Sequence, residues 1–151
     1  MKNALTLLSI VLSLAAISFV FFQNKEIDRL SKQLEIATIN TAFQTIIKPT
    51  IKTRSFDFTC IIRVEESYGK FAKWYIEVNG LQHQINGSVV TLTHNDSFGI
   101  SQSWFPKREN GGGAGNSVSS DEQSYSFELK SKYHSGKAVS LFSRLMNVCA
   151  E

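Results

Sequence analysis

The sequence predicts an α+β fold: an N-terminal transmembrane helix continuing into a short amphipathic helix, then a compact antiparallel β-meander domain with a C-terminal helix or strand. Three observations carry this. Residues 4–22 hold no charge, apolar residues recur at helical spacing over 23–48, and after Pro49 the hydrophobic period changes to two. The expected organisation is a short tail at 1–3, an anchor at 4–22, a membrane-proximal helix at 23–48, and a periplasmic antiparallel β domain over 50–151 with a flexible Gly-rich loop at 106–123.

Length and charge exclude several classes. At 151 residues the chain has room for one globular domain plus a further segment. The net charge of +3 is spread singly among acidic residues, whereas a nucleic-acid binder gathers Lys and Arg into a patch, so no nucleic-acid partner is expected.

Ala4 to Phe22 is an apolar run of 19 residues, about 28 Å as a helix, close to the thickness of a bilayer core. Two readings compete. A secretory signal would use Lys2, the apolar stretch from Leu5 to Ala15, and a cut near Ala16-Ile17-Ser18. That cut would expose Phe19, Val20, Phe21 and Phe22, so the uncleaved anchor is preferred, with the lipid bilayer contacted through residues 4–22. Either reading exports the remainder, which in a bacterium places residues 23–151 in the periplasm; the preferred anchor makes the chain a single-pass inner-membrane protein with its C-terminal domain there.

From Gln23 the spacing of Ile27, Leu30, Leu34 and Ala37 is helical, with charged residues between them, and fits either a membrane-proximal stalk docking on its own domain or a short coiled coil with a partner spanning the same membrane. A later set, Ile39, Ala42, Phe43, Ile46 and Ile47, lies on a shifted stripe, and Pro49 ends the helix.

Next come the strands. "SFDFTCIIRVE" places Phe56, Phe58, Cys60, Ile62 and Val64 on one face of a first strand. "FAKWYIEV" turns Ala72, Trp74, Ile76 and Val78 inward, and Asn79-Gly80 suits a hairpin turn. Leu81, His83 and Ile85 begin the return, Asn86-Gly87 turns again, and "SVVTLTH" continues in β-branched residues. Phe98, Ile100, Gln102 and Trp104 share a side in the next segment. "PKRENGGGAGNSVSSDEQ" reads as a loop without the Gly-Lys-Ser/Thr ending of a phosphate loop. Alternation resumes through Tyr125, Phe127, Leu129 and Tyr133. In the tail, Ala138, Leu141, Phe142, Leu145 and Cys149 favour a helix over an edge strand.

Cys60 and Cys149 both fall on apolar faces, and in an oxidising compartment they are expected to form a disulfide; two free buried thiols are the alternative. No metal or cofactor is expected, because His83, His94 and His134 lack ligand spacing. No catalytic residue is expected either: there is no Gly-x-Ser-x-Gly elbow, and Glu65-Glu66 and Asp121-Glu122 read as solvated turn residues. The chain thus reads as a binding module, not an enzyme. Its candidate apolar binding or core face is Phe56, Phe58, Trp74, Phe98, Trp104, Tyr125 and Phe127.

With "FTC" at the first strand, aromatic-rich strands in the middle and "LMNVC" near the end, the whole-chain plan resembles the FidL-like and ToxS-like proteins, small membrane-anchored periplasmic partners of ToxR-type transcriptional regulators. The resemblance implies another inner-membrane protein as partner: the periplasmic domain would bind and stabilise a membrane-bound regulator tied to virulence, with an envelope signal as ligand. A second plan it resembles is that of type IV pilin-like or secretion-apparatus subunits, though "MKNALTLLSI" lacks their Gly and Glu. A cleaved soluble periplasmic binding protein is the third reading.

Overall fold

Helical propensity persists from Lys2 to Ile46 with no Gly or Pro to interrupt it, and the whole stretch forms one helix, α1, of 45 residues. The computed structural model describes the backbone of residues 2–50, 53–68, 70–96, 99–105, 118–121 and 124–150. It describes their side chains from residue 17 onward, except at 54, 67, 68, 70, 71, 104, 105 and 118–121. The chain divides into two units, Met1–Glu35 and Ile36–Glu151.

The first unit is helix alone. Its described apolar side chains are open to solvent, Phe22 and Leu34 each being 70% exposed. Arg29 donates from Nε to Glu26 Oε2 at 3.0 Å, one turn back along the helix. That pairing holds the Glu26 carboxyl below, and the Arg29 guanidinium above, their ordinary ranges.

The expectation of a transmembrane anchor is corrected. Among the described residues no helix is long and apolar enough to cross a membrane. In α1 the uncharged stretch with described side chains covers 17–24, about 12 Å of helix, after which Lys25, Glu26, Asp28, Arg29 and Lys32 follow within two turns. A bilayer core requires about 20 apolar residues. The side chains of residues 1–16, where most of the expected anchor falls, lie outside the described residues. With the anchor go the calls built on it: bilayer contact through 4–22, single-pass inner-membrane placement with a periplasmic domain, and a membrane-bound regulator as partner.

The second unit is built from the last turns of α1, eight strands among the described residues, and a C-terminal helix. β1 (Thr53–Asp57), β2 (Ile61–Tyr68), β3 (Lys70–Glu77), β6 (Ile100–Phe105) and β7 (Val118–Asp121) form a five-stranded antiparallel sheet in the order β1-β2-β3-β6-β7. β4 (Leu81–Asn86), β5 (Val89–His94) and β8 (Ser124–Glu128) form a second, three-stranded sheet. A 3₁₀ turn at Lys132–His134 leads into α2 (Ser135–Cys149), so the tail is a helix.

Several expectations change here. "SFDFTCIIRVE" is two strands, not one: the chain reverses at Phe58–Cys60, and β1 lies antiparallel to β2 with Phe56 opposite Val64. Cys60 therefore sits in the turn. Asn79-Gly80 makes a tight turn, with the Leu81 N–H donating to the Val78 carbonyl at 3.1 Å, but it passes the chain from one sheet to the other and closes no hairpin. Within the segment read as a loop, 118–121 pairs with β6, while 106–117 lies outside the described residues. Tyr133, expected to point inward, is 85% exposed in the 3₁₀ turn.

His94 fixes the sheet-to-sheet corner. Its Nδ1 accepts the Asp96 N–H at 2.9 Å, which leaves Nε2 to donate to the Asn79 carbonyl at 2.6 Å. Gly80, at φ +86°, and Gly99 flank the ring so closely that a Cβ on Gly99 would stand 1.9 Å from Nδ1.

The core joins both sheets to the two helices. Ile39, Phe43 and Ile46 from α1 and Ala138, Phe142 and Leu145 from α2 are buried with Phe58, Ile62, Ile76, Leu92 and Ile100. Phe43 stacks on Phe58 at 4.0 Å and meets Phe142 at 4.8 Å. Residues at the end of α1 and just after it bond to the ends of the two neighbouring edge strands. Asn40 accepts the Phe58 N–H at 3.1 Å and donates to Asp57 at 3.2 Å, while the Lys48 N–H donates to the Glu128 carbonyl and the Lys130 N–H to the Ile46 carbonyl, each at 2.8 Å. Such covering satisfies backbone groups that would otherwise template pairing with another chain. The Cys60–Cys149 disulfide, with Cα atoms 5.4 Å apart, ties the end of α2 to the β1–β2 turn.

Candidate functional site: a groove between the sheets

Alternation along β2 puts residues 62, 64 and 66 on the face that looks into the core. Ile62 and Val64 are fully buried there. The third position is Glu66, a carboxylate on an apolar face, which needs hydrogen bonds to be tolerated. It has two: Oε2 accepts from Trp74 Nε1 at 3.1 Å, and Oε1 accepts from the Tyr125 hydroxyl at 3.0 Å. Trp74 is the cross-strand partner of Val64 on β3, whereas Tyr125 comes from β8, so the carboxylate joins the two sheets. The Trp74 and Tyr125 rings lie 4.9 Å apart.

Beside this cluster the sheets leave an open groove of about 490 Å³. Phe56 and Phe127, 5.3 Å apart, supply its apolar wall. Glu66, Tyr125 and Thr53 supply polar groups, and Lys48 with Glu128, paired at 2.6 Å, stand at its rim. Burial, then the Glu66 charge and its hydrogen bond, push the Tyr125 phenol far above its ordinary range, with Thr53 opposing weakly. Tyr125 thus stays a neutral donor. The groove combines an aromatic surface with one cation, two carboxylates and hydroxyls. It holds no histidine or cysteine, and among the described residues no group of three metal-ligating side chains occurs anywhere.

Four of the aromatic residues expected on the binding or core face, Phe56, Trp74, Tyr125 and Phe127, gather at or beside the groove. Phe58 lies deeper, fully buried against Phe43, Phe127 and Phe142. Phe98 lies outside the described residues. Trp104 occupies β6 opposite Ala72 in the backbone register, and its side chain is likewise undescribed. Sequence reasoning missed Glu66, reading it as a solvated turn residue. The signal was present, since Glu66 continues the Ile62–Val64 alternation. Lys48 and Thr53 carried no such signal. The histidines are dispersed: His83 stacks on Phe142 at 4.9 Å, His94 holds the corner, and His134 carries a buried Nδ1 at the start of α2 with no hydrogen-bond partner.

The chain matches no known family model, no curated protein and no solved structure. The FidL-like and ToxS-like resemblance therefore stands corrected: no match supports it, and among the described residues there is no membrane-crossing helix of the kind it presupposes. The pilin-like plan finds no match either.

Proposed function

We propose that the second unit is a non-catalytic binding module whose groove takes a small amphipathic molecule, its apolar body against Phe56 and Phe127 and its polar end toward Lys48. The observation that carries this reading is the groove itself. About 490 Å³ falls within the range of small-ligand sites, and aromatic walls with a few convergent polar groups are what such sites use to hold and orient a ligand. Lys48, more than half exposed, can leave Glu128 for an anionic head group at little cost, because exposed ion pairs contribute about 0–1 kcal/mol.

The test is a fluorescence titration of the full chain with anilinonaphthalene sulfonate, an aromatic anion of suitable size. Saturable binding, weakened several-fold by Lys48→Met and by Phe56→Ala, is the expected result. Equal binding by both variants would place the probe elsewhere on the chain and overturn the reading, as would the absence of saturation.

A further inference from the structure

We propose that α1 pairs in parallel with α1 of a second copy of this chain, through a seam formed by Val20, Ile27, Leu30 and Leu34. These side chains are 57%, 60%, 52% and 70% exposed. Their intervals of seven, three and four residues are the 3.5-residue repeat of a two-helix supercoil. A helix docking on a globular surface needs a broader apolar stripe. Here Lys25, Asp28, Arg29, Lys32 and Glu35 crowd the remaining faces from 25 to 35 and leave only a narrow seam.

The placement of charge argues for an identical partner. Every charged residue of that stretch except Glu26 lies away from the seam, and the other positions flanking the seam are Phe19, Asn24, Ser31 and Gln33. Two copies can thus approach without like charges meeting. Glu26 is engaged by Arg29 of its own helix, and in a parallel pair it faces the second copy's Ser31. Val20, Ile27 and Leu34 share one set of seam positions, and the two β-branched residues among them, with Leu30 at the other set, favour two parallel strands. Gln23, exposed and falling on the seam, meets its own counterpart only in the parallel, in-register arrangement, where the two amides can hydrogen-bond. Val20 to Leu34 covers about 21 Å of helix, so the pair is a modest one and its population depends on concentration.

Sedimentation equilibrium of the full chain tests this. The expected result is a mass rising from one chain toward two between about 5 and 500 μM, with Ile27→Glu shifting the midpoint at least tenfold upward. Ile27 is exposed, so that variant keeps the fold, which near-ultraviolet circular dichroism checks. In a second measurement, mild oxidation of Leu30→Cys should give a reducible covalent dimer while Asp28→Cys, on the outer face, should not, with peptide mapping confirming that Cys60–Cys149 is intact. A chain monomeric throughout overturns the proposal. So does association unaffected by Ile27→Glu, or equal cross-linking at 28 and 30.

Discussion

His94 shows how one side chain can fix a corner of the fold. Its ring is held by the Asp96 N–H and the Asn79 carbonyl, with Gly99 packed against it. Gly99→Ala drives a methyl into that ring and must break those bonds to make room, so a loss of about 2–3 kcal/mol is expected. Gly136→Ala, at the second residue of α2 with open space around it, should instead stabilise by about 0.5–1 kcal/mol. Urea unfolding of the two variants beside the parent chain checks the contrast. A second prediction concerns His83, whose imidazole is held below its ordinary value of 6.5 by burial. The unfolded chain then takes up a proton at higher pH than the folded one. Stability should be full above pH 6.5 and fall as pH drops below it, levelling off once the folded imidazole also protonates. Comparing urea midpoints at pH 7.5 and 5.5 should show a smaller difference in His83→Gln than in the parent.

Among elements, α2 shows how a sequence pattern and a covalent tie reinforce each other. Its stripe of Ala138, Leu141, Phe142 and Leu145 is buried, and one turn on Cys149 bonds to Cys60. The bridge spans 89 residues of sequence, for which chain entropy gives about 4–5 kcal/mol as an upper figure. The double variant Cys60→Ala/Cys149→Ala should lose a large share of that in urea unfolding, and reductant should affect the parent but not the variant. The helical stripe and the cysteine pair were legible in the sequence because both are local patterns on known faces. The reversal at Phe58–Cys60 was not. Phe56, Phe58, Cys60, Ile62 and Val64 alternate without a Gly or Pro to mark a turn, so only the pairing of Phe56 with Val64 reveals it.

For the molecule as a whole, the buried core residues among those described fall between Ile39 and Leu145. At a concentration low enough to keep the full chain monomeric, a chain beginning at Ile36 should therefore retain the parent's urea midpoint, since the helix it loses contributes no buried side chain among those described. A marked loss of stability on truncation would show that residues 1–35 support the fold. The apolar run at the start of α1 was the most conspicuous sequence feature and the least reliable guide, because it led to an anchor that the described residues do not contain.

By itself the sequence determined the helical start and the switch to period-two strands after Pro49, and it favoured the terminal helix and the cysteine pair over their alternatives, because each is written in local periodicity or in a residue type with one evident partner. Only the tertiary structure decided that the strands divide between two sheets, and that Glu66 reaches Tyr125 across 59 residues of chain to form one side of a groove. Alternation states which face a residue takes; what that face meets depends on strand order, and strand order is set by contacts distant in sequence.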